Sequence, residues 1–376
     1  MMIGEPSKTG ERRLKPILAI GLMSGTSVDG VDLALIRTDG QAFIETEGFH
    51  SESYDHGLRQ KIFDVLGRTD SAFEAGILLT KAHAIAVQRF LEEIEIKKSY
   101  DQPIDVIGFH GHTTLHRPAE GKTIQIGDGQ YLANLTGINV VCNFRKNDVA
   151  HGGEGAPITP IFHSAIAQGL EKPLAVLNVG GVANVTWIGK GQNNLMAFDT
   201  GPGGGQLDEW TELLTGKRFD RDGELARSGK VDQDILRALL LNSFFDRYPP
   251  KSLDRIEFSI DPVRKLDAGG GAATLLEFTC EAILRAEEYF PAPIKSWLVT
   301  GGGRKNKFFL ERLRTITQKP VLLAEEVGWN GDGVEAEAIA YLAVRSLFGL
   351  PYTFPETTGV DKPRSGGDFF RPDKKY

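Results

Sequence analysis

Short apolar runs alternate along this chain with polar, glycine-rich turns and with segments of helical periodicity. Apolar runs over residues 17–22 and 31–36 flank the first of these turns, and this arrangement predicts two strands joined by a hairpin. In the remainder of the first half, strands are predicted over residues 42–48, 104–109, 123–126 and 140–144, and helices over 58–66, 73–96 and from about residue 129.

The second half repeats this order, with a strand, a glycine turn and a strand over residues 174–188. Later strands are predicted over residues 196–198, 297–300 and 320–323, and helices over 207–214, 224–227, 232–241, 272–289 and 332–347. Alternating strands and helices predict an α/β fold. We expect an N-terminal lobe over residues 1–145, a C-terminal lobe over 146–345, and an extended tail over 346–376 that packs back on the N-terminal lobe.

Composition and charge narrow the class of protein. The chain has 376 residues, of which 41% are hydrophobic, and its net charge of −7 argues against nucleic acid or an anionic membrane as a partner. Cys142 and Cys280 have neither disulfide nor zinc spacing, which favours a reducing compartment. Residues 1–15 lack the apolar core of a signal peptide, and no apolar run is long enough to span a bilayer. We therefore expect a cytoplasmic location.

The first turn, within residues 21–32, has the composition of an anion-binding loop. Gly25 and Gly30 allow the backbone to approach a bulky anion, and successive N–H groups can form a nest for it. The turn also offers hydroxyl groups from Ser24, Thr26 and Ser27. The carboxylates of Asp29 and Asp32 would repel a bare phosphate but accept a metal that carries one. An ordinary glycine-containing hairpin explains these residues equally well.

Two further glycine turns follow in a fixed order, at residues 178–184 and 299–306. Together with residues 25–30, they resemble the phosphate-1, phosphate-2 and adenosine motifs of the actin, Hsp70 and sugar-kinase superfamily. The ordered triple is considerably more specific than any single turn. The resemblance implies a two-lobed, actin-like (RNase H-like) ATPase fold, with a cleft between the lobes for nucleotide and sugar.

Within that superfamily the chain closely resembles the anhydro-N-acetylmuramic acid kinases. The matching stretches are residues 21–32, His110-Gly111 with Thr113, 136–141, 144–157, 178–184, 198–203, 249–252, 301–306 and Glu335-Ala336. They run from the first predicted strand to the last predicted helix, so the resemblance covers essentially the whole chain. The chain departs from the family pattern at His112 and Glu154, where Gln is common, at Asn143, where Asp is common, and at Gly204, where Asn is common.

The family reaction, attributed to this chain through the resemblance, opens a 1,6-anhydro sugar with water and phosphorylates its O6 with ATP. Water is a poor nucleophile, so a carboxylate base must lie near the anomeric carbon. The γ-phosphoryl group can capture the leaving O6, so one carboxylate suffices where glycosidases use two. The resemblance assigns the role of base to Asp148. Without it, an Asp that caps a helix or a turn would be the commoner explanation.

The resemblance also implies which residues bind ATP. The phosphates would contact Gly25, Thr26, Ser27, Val28, Asp29, Gly30, Val31 and Asp32. The second turn would contribute Gly180, Gly181 and Asn184, and the third would place Gly301, Gly302 and Gly303 beneath the adenosine. Mg²⁺ would bridge the phosphates, held largely through water by Asp29 or Asp199. A turn-capping role is the alternative for Asp199.

Residues expected to contact the sugar are His110, Thr113, Arg145 and Glu335. Arg145 could hold a substrate carboxylate or orient the catalytic Asp, and a structural ion pair is equally compatible with its position. Glu335 could instead compensate the dipole of the last helix.

Two other groups of polar residues carry weaker signals. His110, His112 and His116 could bind a metal, but no further ligands cluster with them in the sequence. Lys251 and Ser252 could close over the substrate, although a solvated loop is the ordinary expectation for such residues.

The sequence therefore predicts an ATP-dependent anhydro-N-acetylmuramic acid kinase that yields N-acetylmuramate 6-phosphate in the recycling of cell-wall sugars, and the resemblance implies a homodimer. One alternative is a kinase for another anhydrosugar, such as levoglucosan. A plain sugar kinase would phosphorylate an existing hydroxyl group instead. A sugar-independent ATP switch of the actin or Hsp70 type is disfavoured, because no appended partner-binding module is visible.

Overall fold

The computed structural model describes residues 14–25, 27–68, 72–98, 103–191, 194–253 and 257–373. The chain divides into two compact units. Unit 1 consists of the described residues within Met1–Gln168, Gly333–Pro355 and Val360–Tyr376, and unit 2 of those within Gly169–Asp332 and Glu356–Gly359. Unit 1 is thus assembled from separate parts of the chain, whereas nearly all of unit 2 comes from one.

Unit 1 begins with strands and helices in the order β1 (Ile17–Met23), β2 (Gly30–Thr38), β3 (Ile44–Ser53), α1 (His56–Asp64), α2 (Phe73–Lys98), β4 (Val106–Phe109), β5 (His112–Arg117), β6 (Lys122–Ile126), α3 (Gly129–Thr136), β7 (Val140–Cys142), α4 (Lys146–Ala150) and α5 (Pro160–Ile166). Unit 2 continues with β8 (Leu174–Val179), β9 (Val182–Ile188), β10 (Leu195–Pro202), α6 (Gly205–Thr215), α7 (Glu224–Ser228), α8 (Gln233–Leu239), α9 (Ala268–Ala286), β11 (Ser296–Thr300), α10 (Lys307–Thr317) and β12 (Val321–Leu323). The chain then forms α11 (Val334–Leu347), α12 (Pro355–Thr358) and β13 (Asp368–Phe370).

The sheet of unit 1 has the strand order β13-β7-β4-β1-β2-β3. β4 lies parallel to both β1 and β7, whereas β2 is antiparallel to both β1 and β3. α11 packs closely on this sheet, because a Cβ at Gly21 of β1 would lie 1.8 Å from the carbonyl oxygen of Ala336, and one at Gly108 of β4 would lie 2.5 Å from that of Ile339. Only glycine allows a helix to approach the two strands this closely.

The sheet of unit 2 has the order β10-β9-β8-β11-β12. β11 is parallel to β8 and β12, and β9 is antiparallel to its two neighbours. The same order and directions occur in β3-β2-β1-β4-β7 of unit 1. The two units therefore share one strand arrangement, as the repeated strand–turn–strand pattern predicts, and the predicted two-lobed α/β class is confirmed.

Each unit has its own apolar core. In unit 1, buried residues of β1 and β2, including Leu18, Ile20 and Leu33, pack with residues of α1, α2 and α3. In unit 2, α9 supplies a long buried face that packs with strand residues such as Trp187 and Trp297. Alternation along the strands and helical periodicity thus lead to two separate cores.

Several boundaries differ from those predicted. The predicted division at residue 145 falls instead at Gln168, and α11 belongs to unit 1 although it was placed in the C-terminal lobe. The reason is that α11 packs on β1, β2 and β4. The composition of residues 145–157 predicts a polar, glycine-rich loop, but this segment contains α4. The predicted extended tail contains β13, which pairs antiparallel with β7.

Two expectations concern the environment of the protein. Both Cys142 and Cys280 are buried thiols without a disulfide bond. Within the described ranges, none of the helices combines the length and apolar character required to cross a lipid bilayer.

Candidate active site

In unit 1, the parallel strands β1, β4 and β7 end at the same edge of the sheet. The first glycine turn follows β1, His110 follows β4, and Arg145 and Asp148 follow β7. Because ligands of α/β proteins bind at the carboxyl ends of parallel strands, this edge is the candidate site of unit 1.

The first turn has a strained backbone. Its tightest part is closed by a hydrogen bond from Val28 N to Gly25 O, 3.1 Å long. Val28 has φ 53°, which is unfavourable for a β-branched residue, and its side chain is fully buried. Arg59 Nε donates to the Val28 carbonyl oxygen over 2.9 Å. The turn is therefore held in an unusual conformation by its packing and by Arg59.

The predicted phosphate contacts of this turn differ in what they can offer. Gly25 is open, since a Cβ there would meet only Ser27 Oγ, at 3.9 Å, whereas a Cβ at Gly30 would lie 2.3 Å from Glu52 O. Val28 and Val31 have buried side chains, so only their backbones can face a ligand. The hydroxyl of Ser27 donates to Asp29 Oδ1 over 2.7 Å, and both residues are exposed. Thr26 lies outside the described residues.

A buried polar network lies behind this turn. Ser24 Oγ and His112 Nδ1 are 3.0 Å apart and share a hydrogen bond. Tyr54 donates its backbone N–H to Asp29 O, and its hydroxyl lies 2.6 Å from His83 Nε2. His112, a departure from the family pattern, therefore contributes to the support of the first turn.

Arg145 connects two other parts of the same edge. Its Nε donates to His110 Nε2 over 3.1 Å, and its Nη1 donates to Gly155 O over 2.8 Å. His110 Nδ1 is 3.0 Å from Gly111 O, so this nitrogen carries the proton and donates to it. Burial, together with the charge of Arg145, lowers the pKa of His110 to about 3. His110 is therefore a neutral imidazole that orients Arg145.

Asp148 lies on the short helix α4 and is buried, with 2% of its surface exposed. Its Oδ2 accepts a hydrogen bond from Gly155 N over 2.7 Å. A Cβ at Gly153 would lie 2.2 Å from the same oxygen. Residue Gly155 therefore joins the two predicted site residues, because its N–H binds Asp148 and its carbonyl binds Arg145.

The β5–β6 hairpin fixes the loop that contains Gly155. His116 Nε2 donates to Glu154 O over 2.9 Å, and its Nδ1 lies 3.0 Å from Thr123 Oγ1. Burial lowers the pKa of His116 to about 4, with Arg145 as a second cause. The hydroxyl of Thr113, a predicted sugar contact, accepts a hydrogen bond from Gln125 Nε2 over 3.3 Å. Glu154 takes part through its backbone, so this departure from the family is compatible with the same fold.

Glu335 lies in the first turn of α11 and is half-buried. The first turn of this helix contacts Gly21 in β1, while its last turn, at Val344 and Arg345, contacts Gly40 beyond the end of β2. The N-terminus of α11 thus lies toward the edge where β1 ends. Within unit 1, the structure places Glu335 at the edge that holds the first turn and Asp148.

In unit 2, the second and third turns also share one edge. β8 and β11 are parallel neighbours in which Thr300 is paired with Asn178, so both turns follow the same ends of the two strands. A Cβ at Gly180 would meet only Val182 O, at 3.6 Å, and one at Gly302 would meet nothing within 4 Å. Both positions are open, and their glycines are therefore available for close approach by a ligand.

Gly301 and Gly303 have a different explanation. Gly301 has φ +73°, and a Cβ there would lie 2.3 Å from Asn178 Oδ1, while one at Gly303 would lie 2.5 Å from Val179 Cγ1. Close packing against β8 is by itself a sufficient reason for glycine at both positions. Three residues are predicted to lie beneath the adenosine. Among them, Gly302 is the one at which packing against the described residues does not require glycine.

The second turn is braced by the glycine run after β10. Backbone N–H groups of Gly203 and Gly205 donate to Gly181 O over 3.0 and 3.3 Å, and that of Gly204 donates to Gly180 O over 2.7 Å. Asn184 lies in β9, opposite Asn178 on one side and Asp199 on the other. A Cβ at Gly204 would lie 3.7 Å from Gly180 O, so this departure from the common Asn is sterically neutral.

Asp199, a predicted metal ligand, supports the segment that follows Pro250. Its Oδ2 accepts from Leu253 N over 2.8 Å, and its backbone N–H donates to Lys251 O over 2.9 Å. Lys251 and Ser252 are buried, contrary to the expectation of a solvated loop. Lys251 Nζ lies 4.6 Å from the ring centroid of Phe244, and burial lowers the pKa of Lys251 to about 8.

A histidine metal site was only a weak alternative in the sequence. No group of three or more His, Cys, Asp or Glu side chains is arranged to hold a metal ion among the described residues. His110 binds Arg145 and Gly111, and His116 binds Glu154, so these imidazoles have structural partners.

Sequence reasoning missed residues that hold the turns from a distance. Arg304 is buried, and its guanidinium donates to Gly301 O over 3.0 Å while pairing with Glu325 and Asp332. Tyr54 and Arg59 hold the first turn in a similar way. Arg304 stands within a recognised motif, but its partners lie 21 and 28 residues further along the chain and have no motif of their own.

Known proteins share sequence with nearly the whole of this chain. The sequence profile of the anhydro-N-acetylmuramic acid kinases matches residues 17–372. Proteins named anhydro-N-acetylmuramic acid kinase from Rhizorhabdus wittichii and Paramagnetospirillum magneticum are 46% and 49% identical, over 95% and 93% of this chain and 99% of each relative. Component A of the (R)-2-hydroxyglutaryl-CoA dehydratase of Acidaminococcus fermentans is a solved structure with 12% identity and a TM-score of 0.46, over 88% of this chain and 98% of that one. The chain belongs to the anhydro-N-acetylmuramic acid kinase family.

Proposed function

We propose that the protein uses ATP and water to convert 1,6-anhydro-N-acetylmuramic acid into N-acetylmuramate 6-phosphate and ADP, in the recycling of cell-wall sugars. The family match over nearly the whole chain supports the substrate. The observation that carries the mechanism is the position of Asp148, which is buried at the carboxyl edge of the parallel strands and fixed by Gly155.

In the proposed reaction, Asp148 accepts a proton from a water molecule whose oxygen attacks the anomeric carbon of the sugar. The bond between this carbon and O6 breaks, and O6 attacks the γ-phosphorus of ATP, from which ADP departs. Gly155 N–H holds one oxygen of Asp148, so the carboxylate keeps its orientation while it takes the proton. Arg145 binds the carbonyl oxygen of the same residue, Gly155, which favours an orienting role for Arg145 over the binding of a substrate carboxylate.

The nucleotide contacts are assigned within each unit. In unit 1, the turn from Gly25 to Asp32 would face the β- and γ-phosphates with its backbone. In unit 2, we assign Gly180, Gly181 and Asn184 to the phosphates and the turn at Gly301–Gly303 to the adenosine. The open space above Gly25, Gly180 and Gly302 supports this assignment, because none of the described residues requires glycine there.

Mg²⁺ would supply charge neutralisation for the phosphates when it is bound. Asp29 fits this role, because it is exposed at the first turn, and Asp32 follows in β2. Mg²⁺ usually keeps several waters and needs only one or two carboxylates. Asp199 fits less well, because it is buried and its Oδ2 accepts the N–H of Leu253. Sugar contacts are assigned to His110, Thr113, Arg145 and Glu335, with His110 and Arg145 also orienting each other.

The test is ADP release with ATP, Mg²⁺ and 1,6-anhydro-N-acetylmuramic acid. Asp148→Asn should abolish sugar-dependent turnover and retain ATP binding. Asp128→Asn is the matched control, because Asp128 caps α3 and Asn caps helices as well as Asp does. Turnover that survives Asp148→Asn would remove Asp148 as the base.

The same assay separates the alternative functions. In water enriched in ¹⁸O, the proposed reaction incorporates solvent oxygen at the anomeric carbon, whereas a plain sugar kinase does not. Activity on levoglucosan alone would assign another anhydrosugar as substrate, and ADP release without sugar would indicate an ATP switch. A cytoplasmic location and a homodimer remain part of the proposal, and sedimentation would test the second.

A further inference from the structure

The C-terminal part of unit 1 covers the segment that carries Asp148. We define residues 360–373 as the C-terminal strap. Its strand β13 pairs with β7, with Asp368 opposite Cys142. β7 is followed directly by residues 143–153, which include α4. The strap is therefore adjacent, through β7, to the helix of the proposed catalytic base.

Side-chain hydrogen bonds tie the strap to this segment. Asn143 Nδ2 donates to Asp368 Oδ2 over 2.8 Å, and Asn147 Nδ2 donates to Ser365 O over 2.6 Å. Asn147 immediately precedes Asp148. α4 has only five residues, too few for a helix to be stable without tertiary contacts. These bonds are well placed to stabilise α4.

The strap also packs against the loop that contacts Asp148. Val360 is buried, and a Cβ at Gly153 would lie 2.7 Å from Val360 Cγ1 as well as 2.2 Å from Asp148 Oδ2. Tyr352, just before the strap, donates its hydroxyl to Phe144 O over 2.9 Å. The start of α4, its middle and the loop behind it therefore all have partners in or beside the strap.

Asn143 is the position where Asp is common in the family. Its φ of 59° is left-handed, a conformation that both Asn and Asp tolerate. A carboxylate at position 143 would face the carboxylate of Asp368 at hydrogen-bond distance. The two charges repel each other, and Lys146 Nζ, 3.6 Å from Asp368 Oδ2, offsets part of this repulsion. The amide of Asn143, which stands where the family commonly has a carboxylate, therefore suits the carboxylate of Asp368.

We propose that the C-terminal strap positions Asp148, and that Asn143 and Asp368 form a charge-matched pair through which it does so. Asn147 is a second positioning residue. This inference rests on the proposed role of Asp148 as base. Neither Asn143 nor Asp368 is assigned to substrate, so both act through α4.

The experiment is a double-mutant cycle with Asn143→Asp, Asp368→Asn and the combination. Asn143→Asp conserves volume and backbone conformation, so we expect kcat to fall on the order of tenfold to a hundredfold through misplacement of the base, while the KM for ATP stays within about twofold. The combined variant restores one amide facing one carboxylate, with donor and acceptor exchanged, and should recover kcat to within about threefold of the original protein.

Asn147→Ala and Asn134→Ala form a second comparison. Asn134 Nδ2 donates to Asp373 Oδ2 on the same strap, over 2.7 Å, but lies on α3. If the strap only contributes stability, the variants should lower the melting temperature and neither should change kcat. If it positions Asp148, Asn147→Ala lowers kcat and Asn134→Ala does not.

Unaltered kcat in Asn143→Asp, or a combined variant no better than the single one, would overturn the proposal. Asp148→Asn distinguishes this failure from failure of the proposed function. If Asp148→Asn abolishes turnover while the cycle shows no coupling in kcat, Asp148 is the base but the strap does not position it. If Asp148→Asn remains active, the base assignment itself is wrong, and with it the positioning role of the strap.

Discussion

Arg145 Nε donates a hydrogen bond to His110 Nε2 over 3.1 Å, and this bond fixes the imidazole in the tautomer that carries its proton on Nδ1. The same guanidinium binds the carbonyl of Gly155, whose N–H holds Asp148. One arginine therefore links the strand end of β4 to the orientation of the proposed base. A planar guanidinium makes both bonds in a fixed geometry, which a lysine ammonium cannot reproduce.

Arg145→Lys should therefore lower kcat by about tenfold or more, because Gly155 and Asp148 lose a fixed partner. The KM for ATP should change little. Steady-state kinetics with both substrates varied would measure this. Arg117→Lys, at a 41% exposed side chain whose partner Glu120 is 3.7 Å away, is the control and should be neutral. A kcat equal to that of the original protein would show that the Arg145–Gly155 bond has no role in turnover.

Gly153→Ala should reduce turnover strongly, because its Cβ would lie 2.2 Å from Asp148 Oδ2 and 2.7 Å from Val360 Cγ1. Either the carboxylate or the C-terminal strap must move to accommodate it. Gly169→Ala, where no atom lies within 4 Å of the added methyl, controls for the loss of a glycine. Equal activity of the two variants would contradict the close packing around Asp148.

Gly302→Ala should raise the KM for ATP without changing the melting temperature, because the added methyl meets no atom of the described part of the chain within 4 Å. Gly303→Ala should instead lower the melting temperature, because its methyl would lie 2.5 Å from Val179 Cγ1. Thermal unfolding with and without ATP, combined with kinetics, separates the two effects. An unchanged KM in Gly302→Ala would remove this turn from the nucleotide site.

Stability should decrease as the pH falls below about 6.5. Burial lowers the pKa of His83, His110 and His163 to about 3 and that of His116 to about 4. The folded state then binds fewer protons than the unfolded state between these values and 6.5, so acidification favours unfolding. Above pH 6.5 these histidines are neutral in both states, and their full contribution to the free energy of unfolding is present. From pH 6.5 toward pH 3 the free energy of unfolding falls by about 1.4 kcal/mol per pH unit for each histidine that remains neutral in the folded state.

Urea unfolding between pH 7 and pH 4.5 would measure this dependence. Replacing His163 by Gln should reduce the slope by about one proton, because burial alone accounts for its lowered pKa. His56→Gln, at an exposed histidine on α1, is the control substitution. A slope that is insensitive to His163→Gln would mean that this histidine is protonated in the folded protein.

The sequence predicted well those features that depend on neighbours in the chain. β8 and β9 occur over the predicted residues, because a continuous apolar run on either side of Gly180-Gly181 is sufficient to define a hairpin. The α/β class and the family followed from the same turns. These signals are local, so they can be identified without knowledge of the tertiary fold.

The sequence did not predict α4 or the strand β13. Residues 145–157 read as a polar loop and Asn143 as part of a strand, because the partners of Asn143 and Asn147 lie more than 200 residues away, at Asp368 and Ser365. Likewise, α11 joined the wrong lobe, because sequence order does not show that Gly21 and Gly108 leave space for it. The site assignments stay predictions. The structure adds the side chains that position the assigned residues.

The discontinuity of unit 1 has a consequence for biosynthesis. Unit 2 can complete its core once Asp332 has been synthesised. In unit 1, β1 can pack on α11 only after α11 has been synthesised, and the Asp148 segment can bind the C-terminal strap only after the strap has been synthesised. At ordinary rates of translation, the ribosome needs about 10–40 s to add the residues between Gln168 and Val360. During this interval the apolar residues of β1 that α11 later covers stay open to chaperones, and the nascent protein cannot yet hold its proposed base in place.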